Sequence, residues 1–174
     1  MNEASVAGLA VDTGPARPGW AAPHAPAVAP AAAAYRWPLA GAPRVTRPFD
    51  PPPQPWLPGH RGVDLAAIPA ATVFAAGAGV VAFAGVVAGV GVVSVDHPDG
   101  LRTTYEPVAG SVRAGQPVAF GQPIGTLTPG HPGCPVAACL HWGLRRGADY
   151  LDPLLLLRAG QVRLLPLAPP DGSG

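Results

Sequence analysis

Apolar residues in this chain fall in short runs punctuated by glycine, proline and aspartate. Six of these runs are TVFAA (72–76), GVVAFAG (79–85), GVVSVD (91–96), LRTTYEP (101–107), QPIGTL (122–127) and CLHWGLR (139–145). Each is rich in β-branched or aromatic residues and bounded by turn formers, the signature of strands. DHPDGL (96–101) between two of them predicts a hairpin, with Gly100 free to take positive φ. Only DPLLLLRA (152–159) hints at a helix, a short one begun at the Asp152-Pro153 pair. The fold class expected is mostly β with antiparallel sheets.

No charged residue intervenes between Asp64 and Asp96, a length that could cross a membrane as a helix. Five glycines and Pro69 break that run into short valine-rich pieces, and a turn with charged residues follows at once. Buried strands joined by glycine turns fit it better than a membrane span.

Gly and Pro number 23 and 25 among 174 residues, but they are unevenly placed. Residues 1–34 are rich in Ala and Pro without amphipathic periodicity and read as a flexible leader or linker. A tail of similar character is expected at 166–174, leaving one domain over 35–165. The first twenty residues have no positive segment followed by an apolar one, so no secretory signal is visible in them.

Charge removes several function classes. The formal net charge is +1 and no basic or acidic run occurs, which speaks against an electrostatic grip on nucleic acid or a membrane surface. All 11 basic residues other than histidine are Arg, so chemistry that needs a lysine amine is excluded.

Two short stretches could carry chemistry. In GHRGVD, His60 and Asp64 are four residues apart, a spacing that returns both side chains to one face of a strand or a helix. Pro58, Gly59 and Gly62 disfavour the helix. An imidazole and a carboxylate are two of the three protein ligands that a catalytic zinc commonly takes, although such a pair is more often a simple hydrogen bond at the surface. In AACLHWGL, Cys139 and His141 share a strand face, which leaves them open to a metal site, a disulfide or core packing.

Read in order, WPLAGAPRVTRPFD, GHRGVDLAA, VFAAGAGVV, VSVDHPDGLRTTYEPV, VRAGQPVAFGQPIGTL and CLHWGLRRGADYLDPLLLL resemble the LytM and lysostaphin type of zinc endopeptidase over about residues 36–157. The resemblance implies an antiparallel sheet or sandwich of the duplicated-hybrid-motif type, and cleavage of peptide cross-links in bacterial cell-wall peptidoglycan. It further implies zinc as cofactor, held by His60, Asp64 and His141, and an extracellular or cell-wall location.

Two positions depart from that family. Its Tyr-x-His-Leu segment is here Tyr105-Glu106-Pro107-Val108, and the first His of its His-x-His motif is Cys139. Both histidines that would handle protons are therefore replaced. A positioned general base is worth about a hundredfold to ten-thousandfold, so activity by the usual arrangement is not expected. His131 in PGHPGC and Glu106 are the candidate substitutes. Alternation along the strand turns Glu106 away from the side of Pro107, and the plainer reading of His131 is an exposed loop residue.

Cys139 has three readings. It could pair with Cys134 across CPVAAC, whose Pro135 favours a turn; it could be a fourth metal ligand; or it could be a buried thiol. The disulfide is preferred, provided that the chain reaches an oxidising compartment. His97 reads as a solvated turn residue, His24 as part of the leader, and Trp142 as packing. Arg145 and Arg146 could meet a carboxylate-bearing partner or could simply be solvated.

Two hypotheses follow, a zinc endopeptidase of the cell wall and a catalytically inactive scaffold of the same fold that binds cell wall or regulates a hydrolase. A third arises because VRAGQPVAFGQPIGTL looks like the hairpin of biotinyl and lipoyl carrier domains. Such carriers need a lysine, and this chain has none.

Overall fold

The structure is a computed structural model, and it describes residues 35–54 and 56–158. The expected leader with His24, the tail, and the last residues of the expected domain lie outside the described residues.

Eleven strands occur in chain order among the described residues: β1 (Val45–Arg47), β2 (Gly62–Ala67), β3 (Thr72–Phe74), β4 (Gly79–Val87), β5 (Val90–Asp96), β6 (Leu101–Glu106), β7 (Val108–Gly110), β8 (Pro117–Val118), β9 (Pro123–Leu127), β10 (Ala138–Arg146) and β11 (Asp149–Leu151). All six runs expected to be strands contribute one. The expected helix is a single turn, α1 (Leu155–Arg158), with Asp152 Oδ1 accepting from the Leu154 N–H at 2.9 Å. No helix among the described residues is long and apolar enough to cross a membrane.

The larger sheet has the order β1-β2-β10-β6-β5-β4-β8, with β11 also paired to β10. The smaller sheet has the order β3-β9-β7, and every pairing in both is antiparallel. The β4–β5 hairpin closes through Ala88 and Gly89, with φ of 49° and 82°, the paired positive values of a tight hairpin turn. Gly100 has φ of 80° in the hairpin between β5 and β6.

Alternation separates a core face from an open face. On β10, Leu140, Trp142 and Leu144 are buried, as are Leu101 and Tyr105 on β6. They join Val73, Val108, Ile124 and Leu127 of the smaller sheet in one core. The opposite face of the larger sheet presents His141, Gly143 and Arg145 on β10, beside Glu106, Thr104 and Arg102 on β6. His141, Glu106, Arg102 and Arg145 therefore sit on the open face by period two alone.

Candidate metal centre

The centre lies where β2 and β10 run side by side. Asp64 is the register partner of His141, so the ladder alone sets carboxylate and imidazole next to each other. The crowding has a local requirement. A Cβ at Gly62 would lie 2.6 Å from His141 Nε2, so only glycine leaves the His141 ring its place.

His60 enters from the loop before β2, where it exchanges backbone hydrogen bonds with Asp50 at 2.6 and 3.0 Å. Its Nδ1–H donates to the Pro48 carbonyl at 2.6 Å. That bond fixes the tautomer, so neutral His60 turns the lone pair of Nε2 inward. Nε2 lies 3.0 Å from Asp64 Oδ1 and 3.0 Å from His141 Nδ1, and His141 Nδ1 lies 2.9 Å from the same carboxylate oxygen. His60 and Asp64 are both buried.

Three donor atoms thus form a nearly equilateral triangle. Donors bound tetrahedrally at roughly 2.0–2.1 Å from zinc are about 3.3 Å apart, close to the spacing found. The inward lone pair of His60 also faces an anionic oxygen. Either a second proton on His60 or a cation at the centre removes that repulsion. Two imidazoles and one carboxylate are the donor set of an open zinc site, so the residues present fit the metal.

The structure brings a third imidazole to this group. His131, from the loop between β9 and β10, places Nε2 3.0 Å from Asp64 Oδ1 with its side chain 13% exposed. Its ring stacks on that of His141 with centroids 5.7 Å apart and planes inclined by 27°. The expectation of an exposed loop histidine is therefore corrected. Burial by itself would raise the Asp64 carboxyl, but hydrogen bonds from His131 and His141 and the charges of His131 and His60 outweigh it and hold Asp64 well below the usual carboxylate range.

Glu106 also differs from its expected placement. It is the register partner of His141 on β6, so it shares the open face with the cluster. It lines a cavity of about 420 Å³ together with Pro107, His60, His131 and His141. Pro107 is not paired within either sheet; it stands between β6 and β7, where the chain passes from one to the other. Alternation consequently stops at this point and does not turn Glu106 out of the cavity.

Cys134 and Cys139 are joined in a disulfide with their α-carbons 5.6 Å apart. With both sulfurs in the bridge, neither is available as a thiolate ligand. The bridge fastens the loop that carries His131 to the start of β10, two residues before His141.

His97 is not the solvated turn residue expected. It is buried, with Nδ1–H donating to the Ala78 carbonyl at 2.8 Å and Nε2 accepting from the Thr103 hydroxyl at 2.8 Å. Tyr105 completes the chain, donating to Thr103 Oγ1 at 2.7 Å and accepting from the Ala76 N–H at 2.8 Å. The sequence signal was the hairpin, which fixes the backbone of residue 97 but leaves the direction of its side chain open. Burial pushes the Tyr105 hydroxyl up to about 12.

The family model described as Peptidase family M23 matches residues 58–153. Uncharacterized proteins of Mycobacterium tuberculosis and Mycobacterium bovis are 55% identical to this chain over 136 residues, a match that covers 76% of this chain and 55% of each relative. The chain thus spans about half the length of these curated relatives. Among solved structures, Csd3 of Helicobacter pylori is similar with a TM-score of 0.57 and 28% identity, covering 71% of this chain and 33% of that one. A zinc-containing peptidase of Vibrio cholerae gives 0.54 and 25%, over 69% of this chain and 39% of that one. Lysostaphin shares the fold, with a TM-score of 0.55 at 24% identity over 76% of this chain and 58% of its own.

Proposed function

The chain belongs to peptidase family M23, and on that premise we propose that it is a zinc-dependent endopeptidase that cuts peptides of bacterial cell-wall peptidoglycan. The observation that carries this reading is the convergence of His60 Nε2, Asp64 Oδ1 and His141 Nδ1 within 3.0 Å of one another. In it, these three residues hold the metal. A zinc ion there would supply a Lewis acid that polarises a peptide carbonyl and acidifies water.

The chain's own groups account for the rest of the work. His60 is oriented by Pro48, and Asp64 contributes the negative charge that balances the cation. His131, whose Nε2 is near the same carboxylate oxygen, takes the proton of the attacking water and returns it to the leaving amine. Glu106, on the other side of His141, is the second group able to hold a proton in this cavity. The setting proposed is extracellular or at the cell wall, which the Cys134–Cys139 bridge supports because such bridges persist in oxidising compartments.

A second reading, an inactive scaffold of the same fold, is favoured by Pro107 and Cys139 at the positions where the resemblance implies catalytic histidines. Zinc analysis of the purified chain and of His141→Ala, followed by incubation with cell-wall fragments, separates the two. The peptidase reading expects one zinc per chain, lost in the variant, and release of new amino groups from the fragments. Bound zinc without cleavage establishes the scaffold, and absence of zinc from the unaltered chain rejects the metal site.

A further inference from the structure

A groove of about 360 Å³ runs from His141 and Glu106 across the open face of the larger sheet to Arg102 and Arg145. Along β10 the distance from His141 to Arg145 is four residues, or about 13 Å at roughly 3.3 Å per residue. Between them the floor is Gly143, beside Thr104 on β6. With no side chain at Gly143, the middle of this stretch leaves room for an extended peptide.

The far end carries an unbalanced charge. Arg145 and Arg102 are register partners, two like charges set directly opposite each other, an arrangement that costs stability on its own. Asp96, the register partner of Arg102 on β5, accepts from that guanidinium through both carboxylate oxygens, one of them at 2.7 Å from Nη2. Arg145 has no ion pair among the described residues. At this end two arginines share one carboxylate, since the charge of Arg145 also acts on Asp96, and an anion at Arg145 would relieve the repulsion between the two arginines.

We propose that Arg145, with Arg102 beside it, forms a carboxylate-binding subsite, and that the groove selects peptides bearing a carboxylate about four residues from the bond to be cut. The inference rests on the reading of His60, Asp64 and His141 as the cleavage centre. It makes Arg145 a specificity-determining residue rather than a catalytic one. An arginine suits the task because its planar guanidinium matches a carboxylate in two parallel hydrogen bonds.

The test is calorimetric binding of soluble cross-linked peptides released from cell wall, compared with the same peptides after amidation of their carboxyls. It is run on the full chain with zinc and again without it, where no cleavage competes. The free acids are expected to bind at least about tenfold more tightly, with the advantage shrinking as salt is raised. Arg145→Gln should erase the difference while zinc content stays unchanged and the thermal midpoint does not fall. Gly143→Ala should weaken both forms, because a Cβ there meets nothing nearer than 3.6 Å in the protein yet stands on the groove floor. Equal binding of acid and amide, a preference that survives in Arg145→Gln, or no binding of either peptide overturns the proposal. Selective binding without any cleavage would reject the peptidase reading and leave the subsite in place; cleavage of acid and amide at equal rates would do the reverse.

Discussion

His131 Nε2 and Asp64 Oδ1 are 3.0 Å apart, although 67 positions separate them in the chain (131 − 64) and the histidine stands on a loop rather than on the sheet. That contact puts an imidazole at the metal cluster of a chain whose two expected proton-handling positions hold proline and cysteine. If His131 moves the proton, His131→Ala should lower cleavage of cell-wall peptides by about a hundredfold to ten-thousandfold while leaving zinc content intact. Measuring turnover and metal together is decisive, since turnover equal to that of the unaltered chain would take the proton-handling role away from His131.

Asp64 offers a sharper test of the metal itself. Zinc that binds only the folded chain raises stability by mass action, about 2.7 kcal/mol at a free concentration one hundred times the dissociation constant. The thermal midpoint of chelator-treated protein should therefore climb as zinc is added back. In Asp64→Asn, which keeps the size of the side chain but removes its charge, the climb should vanish. An unchanged response to zinc would place the metal elsewhere.

The bridge between Cys134 and Cys139 closes a loop of only a few residues, so its effect on the unfolded chain is modest. Loop-closure entropy for that length gives about 2 kcal/mol. Replacing both cysteines by serine should lower the unfolding free energy by roughly this amount in urea titration and, by releasing the loop of His131, reduce turnover more than zinc affinity. Equal losses in turnover and in zinc affinity would show that the bridge supports β10 as a whole and not the loop.

Strand positions and loop positions differ in how much of their placement the linear pattern of residues specifies. The six runs rich in β-branched residues became strands because they are continuous, bounded by turn formers and buried on one face. Strand β2, by contrast, starts at Gly62 and carries Asp64, two residue types that strands disfavour; what holds it is pairing with β10 on one side and β1 on the other. From spacing alone only His60 with Asp64 could be placed on one face; His141 joined them through the family resemblance, and the contact between the three needs the β2–β10 ladder and the loop before β2. The direction of His131 was not legible, since a loop has no period from which it can be derived, and Glu106 was misplaced because its side was judged from Pro107, which stands outside both sheets, and not from Arg102 and Thr104 on its own strand. The inward turn of His97 was hidden for a related reason: its partners Ala78 and Thr103 lie elsewhere in the chain, where only the folded sheet brings them together.

That buried His97 makes a prediction about pH. Burial pushes its pKa below the ordinary 6.5, outweighing the hydrogen bond to Ala78 and the charges of Asp99 and Asp96. A protonated ring would carry hydrogen on Nε2 and could no longer accept from Thr103, which is itself held by Tyr105. The unfolded chain takes up this proton as pH falls through about 6.5, and the folded chain resists until a lower pH. Stability is therefore fully present above the unfolded pKa and declines as pH drops through the window between the two values. The slope from this one group is at most about 1.4 kcal/mol per pH unit. The contribution of His97 is isolated by comparison with His97→Gln. Urea unfolding between pH 7 and pH 5 should show a shallower loss in the variant, which starts from lower stability at pH 7 because its fit to Ala78 and Thr103 is poorer. Parallel pH profiles for the two proteins would mean that His97 titrates alike in the folded and unfolded chains, and that its burial has no consequence for protonation.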